Sequence, residues 1–245
     1  MNEKLGKLYG IGVGPGDPDL LTLKAVKVLQ QVSVVFTAAS SKNDYSLALE
    51  IARPHIPADA RIHPLAFPMT RDIGAKQAAW AANADIVADY LQQGRDAAFL
   101  TLGDSLTFST FGYLLRQIGE RYPDIPVETV PGITSYQAAA AALNMPLVEG
   151  EESLLVLSGA EGGNRLREQI FQPDNVVFMK AYRNVPSICE ALDEAGMLGQ
   201  AAGVVSCSLP GEELVRDVKT LLHREPNYWT LIIAKKSSAN GTPQN

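Results

Sequence analysis

The chain has 245 residues, of which 46% are hydrophobic, so it can bury the core of one large α/β domain or of two smaller ones. Its formal net charge of −6 argues against a surface for nucleic acid or anionic membranes. The two cysteines, Cys189 and Cys207, lie far apart, and the three histidines lack ligand spacing, so no metal site is expected. We found neither a signal-peptide pattern nor an apolar run that could span a bilayer, and we expect a cytoplasmic protein.

The first predicted strand, at residues 8–11, runs into a loop rich in glycine and proline at residues 12–18. Glycine permits positive φ and close approach to a ligand, while Pro15 and Pro18 stiffen the loop and delay the next helix. These residues fit neither the three-glycine spacing of dinucleotide-binding proteins nor a phosphate loop ending in Gly-Lys-Ser/Thr. The loop is therefore either a contact for another kind of ligand or a tight turn without one.

The rest of the N-terminal half alternates predicted helices and strands. The helices are expected near residues 19–31, 47–51, 75–93 and 108–120, and the strands at residues 32–36, 61–65 and 96–102. Pro64 favours an edge position for the second of these strands. The apolar run at 96–102 is typical of a central parallel strand, and it ends in Gly103-Asp104-Ser105. Ligands of open α/β sheets bind at such strand ends, so this loop and the first one are expected to face the same ligand.

A proline-rich connection at residues 121–126 is taken as the approach to a domain boundary. It divides the chain into α/β domains at residues 1–122 and 123–236, followed by a flexible tail at residues 237–245. The second domain repeats the alternation. Its strands are expected at residues 127–130, 153–157, 176–179, 203–206 and 228–235, and its helices at residues 136–143, 166–171 and 185–195.

Three loop motifs in this order, at residues 12–18, 102–104 and 130–135, resemble those of the tetrapyrrole (corrin/porphyrin) methylase family. The resemblance covers nearly the whole chain. It implies two α/β domains with a cleft for S-adenosylmethionine between them, a fold distinct from the Rossmann methyltransferases, and usually a homodimer. Ser105 departs from the pattern, because many members of the family have proline after Gly-Asp.

A set of motifs resembles the branch of the family that methylates C20 during cobalamin biosynthesis: residues 67–69, 102–104 together with 108–110, 179–182, 209–212 and 228–230. This resemblance implies methyl transfer to precorrin-2 or cobalt-factor II, and the sequence does not distinguish a metal-free from a cobalt-bound substrate. The alternatives are a branch that methylates uroporphyrinogen or cobalt-precorrin-4, and a tetrapyrrole-binding module without catalytic activity.

The resemblance also implies which residues contact each ligand. The implied cofactor contacts are Gly103, Asp104, Thr107, Thr134, Ser135, Lys180, Ala181, Tyr182, Cys207 and Thr230. The residues assigned to the tetrapyrrole are Gly14, Pro15, Gly16, Asp17, Arg71 and Arg183, where the arginines suit the substrate carboxylates. Several of these residues also have an ordinary structural interpretation. Asp104 can cap a turn, and Cys207 can be a small buried apolar side chain.

The reaction that the resemblance implies requires little acid–base chemistry. The cofactor brings its own leaving group, so the protein mainly aligns the carbon nucleophile with the methyl group and the sulfur. A proton is lost from C20 afterwards, and the candidate bases Asp17, Tyr182 and Glu212 are not distinguished by the sequence. The catalytic residue is therefore left unassigned.

Overall fold

The computed structural model describes residues 4–39 and 46–236. The chain divides into two units, residues 1–134 and residues 135–245, and each is built on one five-stranded sheet. The tail predicted to be flexible, residues 237–245, lies outside the described residues.

The first unit is built on a parallel sheet with the strand order β3-β2-β4-β1-β5. Its strands are β1 (Leu8–Gly12), β2 (Val34–Ala39), β3 (Arg61–Ala66), β4 (Ala97–Thr101) and β5 (Val127–Val130). As predicted, β4 is central and buried along its length, and β3, which contains Pro64, lies at the edge. Because all five strands run in the same direction, the loops that follow them emerge at one edge of the sheet.

Helices cover both faces of this sheet. They are α1 (Leu23–Leu29), α2 (Leu47–Ala52), α3 (Ile73–Gln92) and α4 (Phe111–Arg121). Alternate residues of β4 point to opposite faces. Phe99 therefore joins the apolar cluster under α3 and α4, and Leu100 joins the cluster under α1 and α2.

Two helices of the first unit begin later than the sequence predicts. The segment expected to open the helix at residue 19 forms a separate 3-10 turn, Pro18–Leu20, and α1 starts only after Thr22, whose hydroxyl accepts a hydrogen bond from Ala25 N–H. The helix expected from residue 108 starts at Phe111, because Phe108 has a positive φ of 51°, which is incompatible with a right-handed helix.

Strand β5 belongs to the first unit. The domain boundary predicted from the sequence lies between residues 122 and 123 and would assign this strand to the second domain. The strand pairs with β1, with Leu8 opposite Val127, and thereby completes the first sheet. The prolines at residues 123 and 126 therefore mark a turn within the first unit. The pairing that decides this is a contact between segments far apart in the chain, which local composition does not reveal.

The sheet of the second unit is mixed, with the strand order β6-β7-β10-β8-β9. Its strands are β6 (Leu154–Ser158), β7 (Asn175–Met179), β8 (Ala201–Val205), β9 (Glu213–Val215) and β10 (Thr230–Lys235). β10 runs antiparallel between β7 and β8, so β6, β7 and β8 all share one direction. The start of β10 consequently lies at the edge where those three strands end.

The helices of the second unit are α5 (Ser135–Leu143), α6 (Asn164–Arg167) and α7 (Val185–Glu194). The prediction for α6 was wrong at its C-terminal end, which was placed at residue 171. Ile170 and Phe171 are 93% and 86% exposed, so this apolar pair does not pack as a helical face would. In the described part of the chain, no helix combines the length and apolar character needed to span a membrane.

Candidate active site

Three loops of the first unit meet where β1, β4 and β5 end. Gly14 and Gly103 exchange two main-chain hydrogen bonds, with N–O distances of 3.1 and 2.7 Å. A Cβ atom added to Gly12 would lie 2.6 Å from both the Gly103 carbonyl oxygen and the Gly132 nitrogen, a separation that only glycine avoids. We call these four residues, Gly12, Gly14, Gly103 and Gly132, the glycine junction.

Asp104 connects two of these loops through its carboxylate. Oδ1 accepts hydrogen bonds from Leu106 N–H at 2.9 Å and from the Thr107 hydroxyl at 3.0 Å, and Oδ2 accepts one from Gly132 N–H at 3.2 Å. Burial raises the pKa of Asp104, but these hydrogen bonds outweigh burial and hold the pKa below its usual value. The group is therefore a fixed negative charge beside the glycine junction at neutral pH.

The loop after β4 is held at several further points. Ser105, which stands where many members of the family resembled have proline, is fully buried, and its hydroxyl donates to the Val130 carbonyl at 3.4 Å. Farther along, Phe111 N–H donates to the Ser109 hydroxyl at 3.0 Å. Ser105 thus ties the loop to the end of β5 by a hydrogen bond, which proline cannot form.

The other residues assigned to the tetrapyrrole lie in different environments. Pro15 and Gly16 are buried next to the glycine junction, whereas Asp17 is exposed. The Asp17 carboxylate accepts a hydrogen bond from Asp19 N–H at 2.9 Å and so caps the 3-10 turn. Arg71 is exposed and follows β3, at the sheet edge from which the glycine junction also emerges.

A second group of predicted cofactor residues lies at one edge of the second sheet. Lys180, Ala181 and Tyr182 follow β7, Cys207 follows β8, and Thr230 begins β10. Ala181 N–H donates to the Thr230 carbonyl at 2.8 Å, which fixes the first of these loops to the start of β10. The antiparallel direction of β10 is what brings these residues of the second unit together.

The backbone at this edge adopts unfavourable conformations. Lys180, Ser206 and Ser208 have φ values of 58°, 53° and 59°, in the left-handed region that side chains other than glycine rarely adopt. Such residues cluster at functional sites, where the surrounding structure holds them in place. Here Ser208 N–H donates to a Glu212 carboxylate oxygen at 2.6 Å, so this candidate base also stabilises the loop.

Tyr182, another candidate base, is packed against other aromatic and cationic groups. Its ring meets Tyr228 edge-on at 5.2 Å, and Tyr228 meets Trp229 edge-on at 5.0 Å. The exposed guanidinium of Arg183 lies 5.1 Å from the centre of the Tyr182 ring, a cation–π contact. The Arg183 guanidinium is thus open to solvent while it packs against the ring.

The Cys207 thiol is buried at the same edge. Burial raises the pKa of this thiol to about 11, so it is uncharged at neutral pH. A neutral thiol is a poor nucleophile, and Cys207 is suited to forming part of an apolar wall.

A cavity of about 200 Å³ in the second unit adjoins Ala181, Tyr182 and Thr230. Three of its polar lining residues, Glu213, Arg224 and Asn227, were not predicted from the sequence. Glu213 and Arg224 form an ion pair at 2.5 Å, and the main-chain carbonyl of Asn227 accepts a hydrogen bond from the Thr230 hydroxyl at 2.7 Å. No motif marks these residues, and Glu213 lies on β9, a strand that the sequence pattern did not predict.

The two remaining predicted cofactor residues lie at the division between the units. Thr134, which is buried, ends the first unit, and Ser135 begins the second unit and α5. Among residues 4–39 and 46–236, no group of His, Cys, Asp and Glu side chains is arranged to hold a metal ion.

Comparison with known proteins relates this chain to methyltransferases that act on tetrapyrroles. The family described as Tetrapyrrole (Corrin/Porphyrin) Methylases matches residues 7–221. A cobalt-precorrin-2 C(20)-methyltransferase of Salmonella typhimurium is 34% identical, over 94% of this chain and 97% of its own. A precorrin-2 C(20)-methyltransferase of a Sinorhizobium species is 35% identical, over 82% and 83% of the two chains.

A solved structure shares the fold. It is a uroporphyrin-III C-methyl transferase from Thermus thermophilus, complexed with S-adenyl homocysteine, which superposes with a TM-score of 0.69. The alignment covers 94% of this chain and 97% of that one, at 23% identity.

Proposed function

This chain belongs to the tetrapyrrole (corrin/porphyrin) methylases, and on that premise we propose that it transfers a methyl group from S-adenosylmethionine to C20 of precorrin-2 or cobalt-factor II in cobalamin biosynthesis. The observation that carries this proposal is the similarity to two C(20)-methyltransferases over most of the length of each chain. One of these relatives is named for the cobalt-bound substrate and the other for precorrin-2, so both substrates stay in the proposal.

The first unit suits the charged part of the cofactor. S-adenosylmethionine, when bound, supplies an electrophilic methyl group on a cationic sulfur, together with the leaving group. The Asp104 carboxylate, ionised at neutral pH and fixed by three donors, provides a negative charge for the ammonium or sulfonium. We therefore assign Gly103, Asp104 and Thr107 to the methionine part, and Thr134 and Ser135 to the rest of the cofactor.

The second unit suits the uncharged part of the cofactor. Ala181 and Cys207 are buried and apolar, and Lys180 holds a left-handed backbone conformation beside them. The cavity that adjoins Tyr182 and Thr230 offers space next to these groups. We assign these five residues to the adenosine and the remaining contacts of the cofactor.

The tetrapyrrole is assigned to charged and glycine-rich loops. Arg71 and Arg183 are exposed cations that can pair with its carboxylates, and residues 14–17 lie at or next to the glycine junction. C20 attacks the methyl group as a carbon nucleophile that the conjugated macrocycle activates, and the protein holds the reactants in line. The proton leaves C20 afterwards, to water or to a base that we do not assign.

The function is tested by incubating the protein with cofactor labelled in its methyl group and with either precorrin-2 or cobalt-factor II. Incorporation of one labelled methyl group, located at C20 by mass spectrometry of the product, is the expected result. Transfer to neither substrate would exclude the proposal. Transfer that persists when C20 is blocked would favour methylation of uroporphyrinogen or cobalt-precorrin-4 instead.

Calorimetry distinguishes the enzyme from a binding module without activity. The enzyme is expected to bind S-adenosylhomocysteine, whereas a module would bind the tetrapyrrole alone. Comparing turnover of precorrin-2 and cobalt-factor II identifies which form is the substrate.

We further propose that the protein is a homodimer. The family resemblance implies this assembly, and Ala75 and Ala78 are exposed apolar residues on the N-terminal half of α3 that contact with a second copy would cover. Light scattering should give a mass of twice the 26.3 kDa chain. A monomer at micromolar concentration would contradict the proposal.

A further inference from the structure

The loop between β4 and α4 exposes two large apolar side chains. Leu106 is 57% exposed and Phe108 is 49% exposed, and both lie in the loop that begins with Gly103 and Asp104. Water contact with such side chains is unfavourable, so their placement beside a functional group points to a ligand surface.

Hydrogen bonds hold this loop at both of its ends. Leu106 N–H and the Thr107 hydroxyl both donate to the Asp104 carboxylate. At the other end of the loop, the Ser109 hydroxyl accepts from Phe111 N–H and lies 3.4 Å from the Thr101 hydroxyl. The exposed side chains are therefore presented by a rigid segment.

Phe108 also has an unfavourable backbone conformation. Its φ of 51° lies in the left-handed region, which glycine and asparagine tolerate and an aromatic residue disfavours. A strained backbone that displays a half-exposed aromatic ring gains little from packing within the first unit. The free energy that compensates for the strained backbone and for the exposed ring is expected to come from contact with a bound molecule.

The loop after β3 adds a third apolar side chain at the same sheet edge. Met69 is 82% exposed, while the neighbouring Phe67 is buried with its ring 5.9 Å from that of Phe99 and anchors the loop. Only β2 separates β3 from β4, so the two loops start about 10 Å apart. Arg71, exposed in the loop after β3, adds a positive charge beside these apolar groups.

We propose that Met69, Leu106 and Phe108 form an apolar surface that contacts the face of the tetrapyrrole macrocycle. A flat conjugated ring with carboxylates at its periphery matches apolar side chains that have an arginine beside them. The inference rests on the proposed function for the identity of the ligand. This inference assigns Met69, Leu106 and Phe108 to the ring face. The family resemblance assigned these three residues to neither the substrate nor the cofactor.

The substitution Phe108→Asn tests this surface, because asparagine tolerates the left-handed conformation. The variant should be at least as heat-stable as the wild type, since the strain is relieved. Its KM for cobalt-factor II should rise roughly tenfold, as expected for the loss of one large apolar contact. Its Kd for S-adenosylhomocysteine should be unchanged. Leu106→Ser, which leaves Phe108 in place, should also raise KM.

Phe171→Asn is the matched control, because Phe171 is 86% exposed in the second unit and lies on none of these loops. Its KM should equal that of the wild type. An unchanged KM in both Phe108→Asn and Leu106→Ser would overturn the inference. An equal loss of S-adenosylhomocysteine affinity would assign the loop to the cofactor, and a fall in mass from dimer to monomer would assign it to a subunit interface.

The inference and the proposed function fail in different ways. If the wild type transfers no methyl group, the proposed function fails. Absorbance titration with cobalt-factor II can then still compare the binding affinities of the wild type and Phe108→Asn. Weaker binding by the variant would support the surface even then. Equal binding would exclude it.

Discussion

Asp104 is the residue that holds the site of the first unit together, because its carboxylate connects the loop after β4 to Gly132 in the loop after β5. Its role in forming the turn and its role as a charge for the cofactor are compatible. The hydrogen bonds that shape the loop are the same ones that keep the group ionised.

Replacing Asp104 should destabilise the first unit. Asp104→Ala leaves the N–H groups of Leu106 and Gly132 without their acceptor, and we expect the free energy of unfolding to fall by about 1–3 kcal/mol. Asp104→Asn keeps one acceptor oxygen, so its free energy of unfolding should fall by less than that of Asp104→Ala. Urea unfolding measures both variants, and Asp89→Asn, at an exposed position on α3, should match the wild type.

Glu128 should make stability depend on acid pH. A hydrogen bond from Lys24, and then one from Lys7, lower the pKa of this carboxyl to about 2 from 4.5. The folded state therefore favours the ionised form, so the stabilisation is complete above about pH 4.5 and is lost as the pH falls toward 2.

Thermal unfolding at several pH values tests this dependence. The difference in melting temperature between wild type and Glu128→Gln should shrink as the pH falls through this range. The difference should also shrink at high salt, because salt screens these partly exposed ion pairs. A difference that is independent of pH would rule out the ion pairs as its cause.

At the scale of elements, the glycine junction sets how closely the ends of β1, β4 and β5 approach. Gly12 faces backbone atoms of Gly103 and Gly132, which cannot move aside as a flexible side chain can. The stability of the first sheet and the positions of its loops therefore depend on close backbone packing at the glycine junction.

Alanine at Gly12 should be destabilising, whereas alanine at Gly119 should be stabilising. The added methyl group at Gly12 would overlap the junction, and we expect a loss of about 1–3 kcal/mol in the free energy of unfolding. Gly119 lies inside α4 with open space around its Cβ position, so alanine there should add roughly 0.5–1 kcal/mol through helix propensity. Urea unfolding of both variants provides the comparison, and equal effects at the two sites would contradict the close approach at Gly12.

Most elements could be predicted from local patterns, because apolar periodicity reflects which face of an element is buried. The central position of β4 followed from its continuous apolar run, and the edge position of β3 followed from Pro64. β9 was missed because it has three residues, two of them exposed, and is defined by its pairing with β8. The C-terminal end of α6 was misplaced because Ile170 and Phe171 are apolar but exposed.

At the scale of the whole molecule, cofactor residues are assigned to loops in each unit. A ligand that binds the folded state alone stabilises it by about 2.7 kcal/mol at one hundred times its Kd. S-adenosylhomocysteine should therefore slow hydrogen exchange at residues 103–107 and also at residues 180–182.

The opposite edge of the second sheet provides an internal control for that experiment. There Lys235, at the end of β10, bonds to Glu149 at 3.2 Å, and exchange near this pair should not change. Protection confined to a single unit would contradict the assignment of cofactor contacts to both.

The amino-acid sequence alone specifies the alternation of helices and strands, the glycine turns after β1, β4 and β5, and the motif order that matches the methylase family. These features are local, since they depend on side-chain periodicity and on which residues a turn accepts. The tertiary structure decides that β5 joins the first sheet and that β10 runs against its neighbours, which places Thr230 beside Ala181. It also decides the left-handed backbone of Phe108 and the low pKa of Asp104, because the Asp104 carboxylate accepts hydrogen bonds both within its own loop and from Gly132 N–H in the loop after β5.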